Sequence, residues 1–273
     1  MRDVLRHRNA FAVAGVATGL AAAAMAVASL SPVAPAAGDG VGPVIDAARA
    51  RGVLRVGVRT YPRPSPPGHP LPPEPDTFDA DLASVLGERL GLRVELVGLA
   101  PDLRETALRD GRVDLLVAGA SAEAPGRAAV MRSGPVSRWE DLRGRVACVA
   151  DGSPYAQALS GRFGVSPRTY PSAVHAAYGF MAGECAALVE DGAVIERLLG
   201  QEAWRFYAAL AGTLPAASAD PLPLATDDAP SSRFVEATRR WWRASGGEAQ
   251  ARLRRTGGIN FEVALLEDGN ICH

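Results

Sequence analysis

The 273-residue chain contains no lysine, so all 29 basic side chains are arginine, set against 30 acids for a formal charge of −1. With the two signs interspersed, no electropositive face for nucleic acid is expected. Histidine is scarce: His7, His69, His175 and His273 are scattered along the chain. Neither these nor Cys148, Cys185 and Cys272 form a CxxC or His-rich spacing, so no metal site and no cofactor are expected. A Gly-x-Ser-x-Gly elbow and a Gly-rich phosphate loop are also missing. With them go the usual sequence signs of nucleophilic hydrolysis and nucleotide chemistry.

What is present first is a leader. Arg2, Arg6 and Arg8 precede an apolar, alanine-rich run from Ala10 to about Leu30, and Ala34-Pro35-Ala36 supplies small residues at the spacing of a signal-peptidase site. Cleavage near Ala36 and a periplasmic destination are expected; the run, at about 20 residues, is also long enough for an uncleaved membrane anchor. No cysteine follows it, which argues against a lipoprotein. Three cysteines in an exported chain allow at most one internal bridge plus a free thiol. Cys148 and Cys185 lie in apolar runs that read as buried strands, where cysteine commonly acts as a small hydrophobe.

Beyond the leader, apolar runs of strand length alternate with helical patterns. Ile45 to Ala50 reads as a helix and Val53 to Val58 as the first core strand. The stretch from Tyr61 to Pro75 holds eight prolines and reads as a surface loop. Phe78 to Leu90 is a helix stopped by Gly91, followed by strand Arg93 to Val97, helix Leu103 to Leu108 and strand Val113 to Ala118. A second round follows: strand Val146 to Ala150, helix Tyr155 to Leu159, a short strand near Arg168 to Tyr170, helix Ala173 to Met181 and strand Ala186 to Val189. Alternation of this kind predicts parallel sheets with covering helices. Ala216 to Pro230 reads as a connecting passage, and Phe234 to Ala244 and Glu248 to Arg254 as terminal helices. Residues 259–273 have no firm assignment, with Phe261 to Leu266 a possible edge strand.

The blocks "IDAARARGVLRVGV", "TFDADLASVLGERLGLRVELV" (Thr77 to Val97) and "LRDGRVDLLVAGAS" (Leu108 to Ser121) resemble bacterial extracellular solute-binding proteins of family 3, which serve amino-acid and related importers. Phe78, Asp79, Asp81 and Leu82 match the family signature; Thr77 and Ala80 depart from it. "WEDLRGRVACVADGS" and "GECAALVEDG" are similar to the start of the family's second lobe and to its strand ending in a ligand-facing acid. The resemblance implies an α/β fold of the periplasmic-binding-protein type II, with two lobes and a cleft between them. On that frame residues 42–135 form lobe 1, 139–222 lobe 2, 226–258 a return to lobe 1 and 259–273 a tail. The family's crossing strand after its aromatic-Ser-x-Pro-Tyr motif reads as shortened or missing, because Arg132 to Val136 runs almost straight into Trp139.

The same resemblance nominates ligand-binding residues. Arg127, in Ala124-Pro125-Gly126-Arg127, falls on the arginine of a Thr-x-x-Arg carboxylate motif whose threonine is absent here; a guanidinium fork suits a carboxylate. Ser153, between a buried strand and a helix, reads as an anion contact or a plain N-cap. Asp191 reads as an acceptor for a ligand ammonium or a solvated turn residue, Tyr61 as a stacking ring or a structural one, and Ser121 as a further hydroxyl. The implied function is capture of a small solute, an amino acid or related carboxylate, by a monomer that delivers it to the membrane permease of an ABC-type importer. The alternatives are a periplasmic accessory protein that binds a partner in a quinoprotein dehydrogenase system and, further off, an enzyme such as a dehydratase or cell-wall lyase, for which only Glu190 or Asp191 offers an acid or base. A binding protein, not an enzyme, is the expectation.

Overall fold

The computed structural model describes residues 41–62, 69, 72–119, 124–216 and 222–267; the expected leader, Ser121, Cys272 and His273 lie outside them. Helix α1 (Pro43–Arg51) starts on a proline and stops at Gly52, whose φ of 72° is the left-handed turn that glycine tolerates. β1 (Val53–Val58) follows, buried on both faces as a central parallel strand must be. β2 (Thr60–Tyr61) and β3 (Glu74–Pro75) pair antiparallel at the two ends of the proline-rich stretch. α2 (Thr77–Leu90) is capped by Asp76, which accepts from the backbone N–H groups of Phe78 and Asp79. β4 (Arg93–Gly98), α3 (Arg104–Arg109) and β5 (Leu115–Leu116) complete a parallel sheet ordered β4-β1-β5. The third strand is shorter than the apolar run 113–118 suggests.

The second lobe is built on β6 (Gly126–Met131), β7 (Val146–Ala150), α4 (Ala156–Phe163), β8 (Ser166–Tyr170), α5 (Ala173–Met181), β9 (Ala187–Asp191), α6 (Gly192–Leu199) and β10 (Tyr207–Ala209). Its sheet is ordered β10-β6-β9-β7-β8, with β6 antiparallel to both neighbours. The sheet pairing therefore puts residues 126–131 with the second lobe, where the sequence frame had them in the first. The crossing strand is not missing: β6 enters the second sheet before the Arg132 to Val136 segment where a gap was expected. The sequence reading assigns no strand to "GRAAVM", and nothing local marks which sheet it joins. The return passage pairs with the outgoing one, Leu214 bridging Gly126 and Leu224 bridging Leu115, both antiparallel.

Cys148 of β7 and Cys185, just before β9, are buried and joined by a disulfide with Cα atoms 5.6 Å apart. They are thus more than the small hydrophobes of the sequence reading, because β7 and β9 lie side by side and bring the two thiols together.

Helix α7 (Ala229–Ala244) packs Phe234, Val235 and Trp242 into the first core, with Ile45, Leu54 and Phe78. α8 (Gly247–Glu267) is one helix of 21 residues. It replaces both the helix expected to end at Arg254 and the possible edge strand at 261–266. The Gly257-Gly258 pair reads as a breaker in sequence, yet the buried Ala251, Arg255, Thr256, Asn260 and Val263 recur at helical spacing through it. Ala251 belongs to the first lobe's core and Val263 to a core of the second. Among the described residues no helix is long and apolar enough to cross a membrane.

Candidate ligand site between the lobes

Charged side chains in an apolar interior persist only when paired and hydrogen-bonded. The ends of the strands facing the second lobe carry a chain of such pairs. Arg59, just past β1, donates from Nε and Nη2 to the two oxygens of Asp79 at 2.9 and 2.8 Å, and from its backbone N–H at 3.0 Å. Asp79 has no exposed surface. Arg59 Nη2 also lies 3.0 Å from Asp76 Oδ1. The Tyr61 hydroxyl and Arg255 Nε both donate to Asp76 Oδ2 at 2.8 Å, and Arg255 Nη1 reaches Glu190 of β9 at 3.2 Å. Burial pushes the Asp76 carboxyl up, but the Arg59 and Arg255 guanidiniums outweigh it and hold it well below the usual carboxylate range. Burial raises the Tyr61 phenol far above its ordinary value against the opposing charge of Arg59, so it stays a donor. Asp76 and Asp79 belong to the first lobe and Glu190 to the second, so Arg255 of α8 ties one lobe to the other.

Among the described residues, three recesses lie along this seam. One of about 180 Å³ is lined by Arg59, Tyr61, Leu99, Arg104, Asp151 and Pro171, drawn from both lobes. A cavity of about 150 Å³ admits benzene, so this one has room for a small solute. Arg104 reaches across to Gly152 in the turn after β7; a Cβ there would lie 3.3 and 3.4 Å from its terminal nitrogens. Its Nε is buried and, among the described residues, finds no hydrogen-bond partner. Burial, and next the charge of Arg59, lower its hold on its proton. A second recess of about 10 Å³ holds Arg59, Ser153, Tyr155, Glu190, Asp191 and Arg255. A third of about 80 Å³ is lined by Tyr61, Asp76, Ser172, Arg255 and Gly258 among others.

Of the nominated residues, Tyr61, Ser153 and Asp191 line this seam, Ser153 and Asp191 in the same recess. Ser153 serves its own turn, donating from its backbone N–H to the Ala150 carbonyl and accepting from the Tyr155 N–H. Asp191 caps α6 by accepting from the Ala193 N–H and lies 3.8 Å from Arg252 of α8. Arg127 lines none of the three recesses: it pairs with Glu196 of α6 at 2.6 Å. The alternation along β6 explains this, because Gly126, one residue earlier, faces the Tyr155 ring, where a Cβ would come within 2.7 Å. Ser121 lies outside the described residues.

The seam's main charges, Arg59, Asp76, Arg104 and Arg255, were not singled out from the sequence. Asp76 is legible in retrospect as an acid just ahead of the helical pattern that starts at Phe78, whereas Glu190 was named only as a possible acid or base. Arg255 lies in the run "RLRR", where nothing separates it from the more exposed Arg254.

Comparison with protein-family models and with curated proteins finds no match. Solved structures do resemble the chain. A substrate-binding protein of an amino acid ABC transporter from Streptococcus pneumoniae, bound to L-arginine, superposes with a TM-score of 0.58 at 16% identity, covering 78% of this chain and 98% of its own. An ancestral arginine-binding protein bound to arginine gives 0.56 at 21%, covering 75% and 98%. An ancestral amino acid-binding protein, a precursor of cyclohexadienyl dehydratase, gives 0.56 at 19%, covering 78% and 100%. The chain therefore has the two-lobed α/β fold of the type II periplasmic binding proteins. Within that class its structural neighbours are amino-acid substrate-binding proteins, in line with the resemblance to family 3 in sequence.

Proposed function

We propose that the chain is a solute-binding protein that takes an amino acid or related small carboxylate between its lobes and passes it to the permease of an ABC-type importer. The observation that carries this reading is the 180 Å³ recess, where Arg104 of the first lobe and Asp151 of the second face one space. A guanidinium whose buried Nε finds no partner among the described residues can receive a carboxylate, and Asp151 can accept from an ammonium. The acids Asp76, Asp79 and Glu190 are each engaged by arginine. That suits fixed electrostatics better than proton transfer and supports binding over catalysis. Export to the periplasm behind a leader cut near Ala36 agrees with the disulfide, since such bonds persist in oxidising compartments. The protein acts as a monomer in this reading.

The test is a thermal-shift screen of the mature protein against amino acids and small carboxylates. At a hundredfold excess over Kd a selective ligand stabilises by about 2.7 kcal/mol, a rise in Tm of roughly 5–10 °C for a body of this size. Arg104→Ala is expected to abolish that rise. A rise that survives the substitution places the ligand elsewhere, and no rise with any compound defeats the reading.

One observation favours a second reading, an accessory protein of a quinoprotein dehydrogenase system that binds a partner protein: Arg255 already joins the lobes at the centre of the cleft. Coding neighbours separate the two. A permease and ATPase favour the importer, a dehydrogenase with its cytochrome the accessory role.

A further inference from the structure

Arg255 has the contacts of a bound cation and not those of an ordinary structural arginine. Its side chain is 8% exposed, and its two acids, Asp76 at 2% and Glu190 at 8%, come from different lobes. Nε and Nη1 each serve one of them, at 2.8 and 3.2 Å. A guanidinium suits this arrangement because its donors diverge in a rigid plane and it holds its proton even when fully desolvated. The helix that carries it is anchored in both lobes, by Ala251 in one core and by Val263 in another. Two and three residues beyond Arg255 lie Gly257 and Gly258. A Cβ at Gly258 would meet nothing within 4 Å, and one at Gly257 only the end of Arg197 at 3.9 Å. Packing does not require either glycine, so their effect on α8 is to weaken the helix beside the seam.

We propose that Asp76 and Glu190 form a guanidinium-binding site shared between the lobes, and that Arg255 is its tethered resident. The resident lines two recesses, one of about 80 Å³ with Tyr61 and Ser172 and one of about 10 Å³ with Ser153 and Asp191. Truncating Arg255 joins them and leaves two buried carboxylates facing one space. A side chain on the same molecule competes at a high effective concentration, so a free guanidinium does not displace it from the intact protein. The chemical class the vacated site takes is a monosubstituted guanidinium.

The experiment measures Tm of the mature protein and of Arg255→Ala with methylguanidinium, and with methylammonium as the control. Arg255→Ala alone is expected to melt lower, because it takes the guanidinium from Glu190 and one of two from Asp76, which keeps Arg59 and the Tyr61 hydroxyl. Methylguanidinium is expected to restore about 5 °C at a hundredfold excess over its Kd, while methylammonium restores little and the intact protein gains nothing. Adding Glu190→Gln to Arg255→Ala is expected to remove the restoration. If Arg255→Ala does not fold, Arg255→Gln gives the acids a neutral donor without a competing tethered cation and is expected to show the same selective gain, smaller in size. No gain in either variant, an equal gain from methylammonium, or an equal gain in the intact protein overturns the proposal. No natural solute enters the measurement, so it succeeds or fails separately from the importer reading.

Discussion

At the scale of single residues, Asp79 and Asp81 show what a sequence signature can and cannot convey. Two positions apart on α2, they face different ways: Asp79 turns inward to the fork of Arg59, and Asp81 outward to Arg254 at 2.8 Å. Removing one partner of a buried pair leaves an uncompensated charge, so Asp79→Ala is expected to cost about 3–5 kcal/mol in urea unfolding. Asp81→Ala, which breaks a surface pair, is expected to cost under about 1 kcal/mol by the same measurement. The matching signature marked both acids as special but carried no information on their partners. Arg127 and Arg104 make the complementary case. The motif spacing pointed to Arg127, which the strand alternation turns towards Glu196, while Arg104 opens a six-residue helix with no motif around it and meets the cleft only through the fold.

Among the elements, α5 carries a pH response. Its N-cap Ser172 Oγ accepts from the His175 N–H and lies 2.8 Å from His175 Nδ1. Burial holds the His175 imidazole below its ordinary value of 6.5. As pH falls, the unfolded chain takes up this proton before the folded one, so stability present above 6.5 is lost as pH falls through that value towards the depressed one. Thermal unfolding followed between about pH 7 and about pH 5 should show Tm falling, and His175→Gln should flatten the slope. α8 makes the opposite kind of prediction. Gly258→Ala meets no steric obstacle and should stabilise the protein by about 0.5–1 kcal/mol, read as a rise in the urea midpoint. Both regions illustrate how legibility varies. The α5 helix was plain in its unbroken apolar pattern, whereas α8 was cut short in the reading because two glycines look like a stop, and only packing against both lobes carries the helix through them.

For the molecule as a whole, the alternation of strand and helix made two α/β lobes legible, because periods of two and of 3.6 residues differ along the chain itself. The line between the lobes was not. Which sheet takes β6 depends on antiparallel pairing with β9 and β10, a long-range choice that leaves no local mark. The disulfide inside the second lobe closes a sequence separation of 37 residues, and losing it through Cys148→Ser with Cys185→Ser is expected to lower unfolding stability by about 3–4 kcal/mol. α8 contributes a buried residue to the core of each lobe, Ala251 to one and Val263 to the other. A helix seated in two interiors links their stabilities, because unseating it opens both at once. Melting that starts in one half is thereby felt in the other, and the molecule is expected to unfold as one cooperative unit rather than half by half, read as coincident transitions by near-UV and far-UV circular dichroism.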